Sequence, residues 1–155
     1  MSNIAEILDG TDEAEMYELI IDPIWDKSYD GTRIDFLSEA ERNLLHSQIL
    51  QDSINGGGIN TMFYNNSSKI ALNGLSAFRA IGEPTAIRII EEALDAFPGE
   101  AIPEDLEACR QFMESWPDDN PTDDKWNELS NEFYENDENL LSASIEYVRR
   151  NIAQF

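Results

Sequence analysis

Hydrophobic residues recur every three or four positions along most of the chain. Near the C-terminus, Leu141, Ile145, Val148, Ile152 and Phe155 are separated by four, three, four and three residues. This spacing is typical of an amphipathic α-helix. The best candidate for a strand, residues 59–64, is short and follows three glycines. The pattern therefore predicts an all-α fold of about six to eight helices.

Several helix ends can be placed from local signals. Ser38 and Glu41 form a capping box, which predicts a helix from Ser38 to about Ile54. Thr11 and the acids that follow it indicate an earlier helix that Pro23 ends or kinks. The run of Asn55 and three glycines stops the Ser38 helix, and a loop or short helix follows through Tyr64.

Later helices are bounded by similar signals. Ser67 or Ser68 can cap a helix that Gly82 terminates, and Pro84 opens the next, which runs to Phe97. Pro103 is expected to start another, ending near Trp116 and Pro117, and two amphipathic helices follow from Asp123 onward. No linker or repeat divides the chain, so we expect one helical domain over residues 1–155.

Charge is the unusual property of this composition. The chain of 155 residues has 32 Asp and Glu against 10 Lys and Arg, for a net charge of -22. Repulsion disfavours direct binding to nucleic acid or to anionic membranes and favours basic partners. The N-terminus has no basic segment followed by an apolar run, so we expect a cytoplasmic protein.

Candidate catalytic and metal-binding groups are few. His46 is the one histidine and is expected at the edge of the core, and Cys109 is the one cysteine and is expected to be buried. The Asn55–Gly58 run lacks the Lys-Ser/Thr ending of a phosphate loop. Residues 118–128 lack the spacing of a calcium loop. We therefore expect no enzyme, no cofactor and no metal.

The acidic residues are concentrated toward the C-terminus. Residues 100–138 contain fourteen Asp and Glu against two basic residues, which is more than half of the net charge. Five acids separated by four, four, three and three residues would form one stripe on a continuous helix. With the acids just before them, they are the predicted partner-binding residues: Asp118, Asp119, Asp123, Asp124, Glu128, Glu132, Glu135 and Glu138.

The stretch of residues 51–99 resembles a family of small acidic helical proteins named for DNA mimicry. The resemblance rests on Asn55-Gly56-Gly57, Met62-Phe63-Tyr64-Asn65, Leu75 to Gly82, and Ala86 to Pro98. Gly58 looks inserted, and Ile59, Thr61 and Asn66 depart from the usual residues. The resemblance implies an all-α fold with a family-like core at 51–99, followed here by acidic helices at 100–155. It also implies an acidic surface that occupies the DNA site of a basic regulator.

Charge and resemblance together lead to one interpretation and two alternatives. The leading interpretation is a non-enzymatic DNA mimic that sequesters or modulates a basic DNA-binding protein, as an inhibitor in transcription regulation. A homodimer would extend its acidic surface. The first alternative is an acidic interaction or immunity protein that neutralises a basic toxin or enzyme without DNA mimicry. The second is a ligand-binding or catalytic domain with a pocket near Asn55, Asn65 and Asn66.

Overall fold

The expected helices are present, and no β-strand occurs in the part of the chain that the structure describes. The computed structural model describes residues 3–99 and 101–155. In chain order the α-helices within these ranges are α1 (Ile4–Leu8), α2 (Glu13–Lys27), α3 (Glu39–Asn55), α4 (Ile59–Asn66), α5 (Lys69–Ile81), α6 (Pro84–Asp95), α7 (Leu106–Glu114), α8 (Pro121–Glu135) and α9 (Asp137–Arg150). Short 3-10 turns lie at Ile34–Phe36 and Ile152–Gln154. These nine helices are one more than the expected maximum, because the five-residue α1 is too short to show a clear period.

Most of the local boundary predictions are confirmed. The Ser38–Glu41 capping box is formed in both directions at the start of α3. Gly82 ends α5 in the left-handed conformation, with φ +85°, and Pro84 occupies the first turn of α6. These signals act within three or four residues of chain, so no distant neighbour is needed to read them.

Two helix starts, those of α2 and α7, differ from expectation, and α5 starts at one of its two expected positions but lacks the expected side-chain cap. The cap of α2 is Asp12, whose carboxylate accepts from two first-turn amides. Pro103 does not open α7: that helix begins at Leu106 behind the Asp105 cap. The Pro103 carbonyl instead accepts a hydrogen bond from the Ser67 hydroxyl. The Ser67 hydroxyl is engaged in this contact and does not cap α5, which begins behind Ser68 without a side-chain cap.

Pro23 does not end α2, which continues to Lys27. Proline removes one backbone hydrogen bond and clashes with the carbonyl four residues earlier, so it usually breaks or kinks a helix. Here Pro23 is on the exposed side of α2, where the freed carbonyl of Leu19 can be solvated. The buried side of α2 keeps its packing through Ile20, Ile21 and Ile24.

Helix α3 is shared by two hydrophobic clusters. Its first half, with Leu44 and Leu45, packs with α1, α2 and α9. Its second half, with Leu50 and Ile54, packs with α4, α5, α6, α7 and α8. Because one continuous helix serves both clusters, the described residues form a single compact all-α domain.

An aromatic group fixes the position of the acidic C-terminal helices on this core. Trp126 is fully buried, and its ring stacks on Phe63 with the ring centroids 4.8 Å apart. Phe97 contacts both Trp116 and Trp126, at centroid distances of 5.5 and 5.9 Å, and these two tryptophan rings are 5.6 Å apart. These contacts hold α8 against α4 and α6. No helix in the described residues is long and apolar enough to cross a membrane.

Candidate partner-binding surface

Helix α8 carries most of the predicted site residues, and its orientation is set by its inner face. The Trp126 indole nitrogen donates a hydrogen bond to the Ala93 carbonyl at 2.9 Å, and Leu129 and Phe133 are buried beside it. The Ser130 hydroxyl accepts from the Ile59 amide at 3.0 Å, at the start of α4, where Gly58 offers no side-chain cap. With these contacts fixed, the opposite face of α8 must point to solvent.

The outer face of α8 carries three carboxylates in line. Asp124, Glu128 and Glu135 are exposed, and Asn131 lies between the last two. At 100° per residue these four positions fall within an arc of about 60°. None of the three carboxylates is within ion-pair distance of a basic group in the described residues. We call Asp124, Glu128 and Glu135 the α8 ridge.

Glu132 belongs to a different environment, at the edge of α8 that faces α6. The Arg88 guanidinium pairs with both Glu132 and Glu92. Hydrogen bonds to Glu132 and then Glu92 raise the pKa of Arg88. Lys125 lies 3.8 Å from Glu92 in the same network. Much of the Glu132 charge is therefore neutralised within the protein, which sequence spacing could not reveal.

Glu138 is separated from the α8 ridge by a break between two helices, so the expectation of one continuous five-residue stripe is wrong. Helix α8 ends at Glu135 and α9 begins at Asp137. At the junction the Asn136 side chain is buried and donates to the Glu83 carboxylate at 2.6 Å. Asn136 is the cap residue between the two helices, and its partner Glu83 lies 53 residues away along the chain. Glu138 is exposed on the first turn of α9.

The predicted acids at the start of α8 also separate into two groups. Asp118 and Asp119 are exposed in the turn before α8. Asp123 is half-buried and lines a cavity of about 270 Å³ with Tyr64 and Trp116, between α4, α7 and α8. Asp118 and Asp119 can therefore extend the α8 ridge, whereas Asp123 faces another direction.

A second acidic surface lies on α2, outside the predicted site residues. Glu15, Glu18, Asp22 and Asp26 are all exposed and are separated by three, four and four residues. Residues 1–26 contain eight acidic residues and no Lys or Arg. None of the four carboxylates has an ion-pair partner in the described residues. We call these four the α2 ridge; the spacing rule used for α8 would have found it.

The start of α9 brings the two acidic ridges toward each other. Asp137 lines a cleft of about 400 Å³ together with Glu18 and Asp22 of the α2 ridge. Tyr17 and Trp25 line the same cleft. Because Asp137 follows Glu135 of the α8 ridge by two residues, the acidic surface continues from α8 across this cleft to α2.

His46 and Cys109 occupy the structural positions expected of them. His46 is half-buried on α3, and burial, Arg42 and Lys69 lower its pKa. Cys109 is fully buried on α7, and burial raises its pKa. Its thiol is 3.8 Å from the Phe63 carbonyl. The described residues contain no group of three or more His, Cys, Asp or Glu side chains placed to hold a metal ion.

The three asparagines of the alternative ligand hypothesis do not line one pocket. Asn55 lines the cleft beside α2, whereas Asn66 lines a cavity beside His46. Asn65 is exposed. Asn55 is the last residue of α3, whereas Asn65 and Asn66 are at the end of α4, so the length of α4 separates them from Asn55.

Comparison with known families adds a finding that bears on the acidic surface. The family model described as DMP19-like protein matches residues 35–151, well over half of the chain. The chain belongs to this family of DNA-mimic proteins. This confirms the family suggested by the motifs between Asn55 and Pro98. The α8 ridge lies inside the matched region and the α2 ridge lies before it. No curated protein and no solved structure matched the chain.

Proposed function

We propose that the protein is a non-enzymatic DNA mimic that binds a basic DNA-binding protein and keeps it from DNA. The observation that carries the proposal is the α8 ridge: three exposed carboxylates without ion-pair partners in the described residues, on a helix of a DNA-mimic family member. The partner's Lys and Arg side chains would contact these carboxylates where they otherwise contact phosphates.

The spacing of the carboxylates supports a binding surface that includes both acidic ridges. Along α8, Asp124 and Glu128 are about 6 Å apart and Glu128 and Glu135 about 10.5 Å apart, at 1.5 Å per residue. One DNA strand carries a charge about every 3.4 Å along its axis. The α8 ridge alone is therefore sparser than a DNA strand, whereas the steps of the α2 ridge are about 4.5–6 Å. A partner that also contacts Asp137 and the α2 ridge meets a charge density closer to that of DNA.

The test compares two variants with the same net charge. In the first, the α8 ridge is neutralised as Asp124→Asn, Glu128→Gln and Glu135→Gln. In the matched control, three exposed acids between α2 and the first residue of α3 are neutralised, as Asp30→Asn, Asp35→Asn and Glu39→Gln. The partner is captured from the native cell on the wild-type protein, and its affinity for all three proteins is measured at fixed salt.

The α8 variant is expected to bind the partner about a hundredfold more weakly than wild type, or weaker still. Each hydrogen bond to a charged group contributes about 1.5–3 kcal/mol, so losing two contacts is sufficient. The affinity of the control variant should fall only a few-fold, because its substitutions weaken the long-range attraction to the partner and remove no direct contact with it. Equal affinity of the α8 variant and wild type would remove this ridge from the site.

A DNA competition experiment tests the mimicry itself. Duplex DNA carrying the partner's own site should displace the protein from its partner, and affinity should fall steeply as salt increases. If DNA and the protein bind the partner together, the protein is an acidic inhibitor of another kind, such as an immunity protein for a basic toxin. That outcome would contradict DNA mimicry without affecting the α8 ridge as a binding surface.

A further inference from the structure

Eight of the ten basic residues have an ion-pair or hydrogen-bond partner within the described residues, and two do not. Six of the ten Lys and Arg residues form ion pairs: Lys27, Arg33, Arg79, Arg88, Lys125 and Arg149. Arg110 and Arg150 donate to backbone carbonyls. Arg42 and Lys69 have neither kind of partner in the described residues, although acids outnumber bases about three to one.

Arg42 lies one helical turn before His46 on α3, and Lys69 lines a cavity together with His46. The cavity has a volume of about 530 Å³ and is lined by residues of α3, the end of α4, the start of α5 and the loop before α3. Its size is within the range of about 300–1,000 Å³ found for small-molecule sites. We call it the His46 cavity.

The lining of the His46 cavity has an apolar part and a part rich in hydrogen-bond donors. Ile34, Ile49 and Ile70 supply the apolar surface, and the polar residues are Thr32, His46, Asn66, Lys69 and Asn73. The Asn66 amide already donates to the Met62 carbonyl at 3.0 Å. Lys69 is the first residue of α5, which has no acidic residue in its first turn and no side-chain cap. The partial positive charge of that helix start therefore adds to the lysine charge.

The charges that act on His46 are positive, opposite in sign to the net charge of the protein: Arg42 on its own helix and Lys69 on α5. The other polar lining residues, Asn66, Asn73 and Thr32, are neutral. Glu104 does not line this cavity; it lines a neighbouring one with Lys69 and Asn73. An anion placed between His46 and Lys69 would relieve this unpaired positive charge, whereas a cation would increase it.

We propose that the His46 cavity binds a small organic anion, whose charged group contacts Lys69, His46 and Asn73 and whose short apolar part lies against Ile34, Ile49 and Ile70. The proposal is independent of the DNA-mimic function, because the cavity lies apart from both acidic ridges. Carboxylate and phosphate ligands share the required charge, so the experiment must distinguish them.

The test is a titration of the isotope-labelled protein followed by NMR. Three probes are used: inorganic phosphate, butyrate and butyl phosphate. Butyrate and butyl phosphate share an apolar chain and differ in headgroup, and inorganic phosphate lacks the chain. At least one organic probe should give saturable shifts at residues 31–34, 46, 49, 66, 69–70 and 73, with saturation below about 10 mM. Inorganic phosphate should bind more weakly than butyl phosphate.

Single substitutions distinguish anion binding in the His46 cavity from nonspecific attraction of the anion to positive charge on the protein surface. Lys69→Gln and His46→Leu should each weaken binding of the better probe by about tenfold or more, because the first removes the charge that pairs with the anion and the second removes the ring N–H donor. Arg79→Gln is the control, since it removes one charge from the same helix at an exposed position away from the cavity. Binding should also raise the pKa of the His46 ring, which its ring proton shifts report directly.

Two results would overturn the proposal. One is the absence of saturable binding of all three probes to the wild-type protein. The other is equal weakening by Arg79→Gln and Lys69→Gln, which would show that the probes respond to net charge. Neither result concerns the acidic ridges, so failure here leaves the DNA-mimic proposal intact.

Discussion

Replacement of Gly74 by alanine should destabilise the fold, although alanine is the better helix former. Gly74 is buried in α5 where this helix packs on α3. A Cβ atom added at Gly74 would lie 2.2 Å from Leu50 Cδ2 and 2.6 Å from Leu50 Cβ. Favourable contacts between carbon atoms are about 3.5–4.0 Å long. A rotation of the Leu50 side chain moves Cδ2 but not Cβ, so α3 and α5 would have to move apart.

The size of the effect follows from two opposing contributions. Overpacking a close-packed core costs about 1–3 kcal/mol, and the fixed Leu50 Cβ places this site at the upper end of that range. Replacing a mid-helix glycine by alanine stabilises by about 0.5–1 kcal/mol. The net loss should be about 1–2 kcal/mol, which for a domain of this size lowers Tm by about 2–8 °C.

The measurement is urea denaturation of Gly74→Ala with thermal melting as a second readout. Ser76→Ala is the matched control, because Ser76 is exposed on the same helix and gains only helix propensity, about 0.5 kcal/mol. Gly74→Ala should lower the free energy of unfolding, and Ser76→Ala should raise it slightly. If Gly74→Ala were as stable as wild type or more so, the close contact between α3 and α5 would not be the reason for glycine at this position.

Two further predictions concern groups whose partners come from other helices. Because burial, Arg42 and Lys69 lower the pKa of His46, the unfolded chain binds a proton more readily, so His46 reduces stability as the pH falls below about 6.5. As the pH is lowered from about 7.5 to about 5.5, the free energy of unfolding of His46→Gln should therefore increase relative to that of wild type, as measured by urea denaturation. A difference that does not change with pH would contradict the lowered pKa. Glu83 caps α6 and accepts from Asn136 at 2.6 Å, so Glu83→Ala should lose about 2–4 kcal/mol by the same assay. Glu83→Asp, which keeps a cap, should lose less, and a Glu83→Ala protein as stable as wild type would refute this role.

The candidate site shows how far a spacing argument can be carried. Asp124, Glu128 and Glu135 could be placed on one helix face from their positions alone, and the structure has them there. Glu132 has the right spacing, but Arg88 comes from a helix 44 residues away and neutralises much of its charge. The α2 ridge follows the same spacing rule, so its four acids can also be placed on one helix face from their positions alone.

What the sequence alone determined is local: the helical class, the capping box at Ser38, the end of α5 at Gly82 and the start of α6 at Pro84. Helical hydrogen bonds and caps connect residues three or four positions apart, so a short window contains all the information they require. Other features depend on contacts between distant residues. Asn136, which contacts Glu83, interrupts the acidic stripe between α8 and α9, and the Pro103 carbonyl contacts Ser67 in the segment before α7. The packing of α3 on α5 brings Lys69 to His46. Such contacts have no local signature, because each partner is an ordinary polar or apolar residue until the fold places it beside the other.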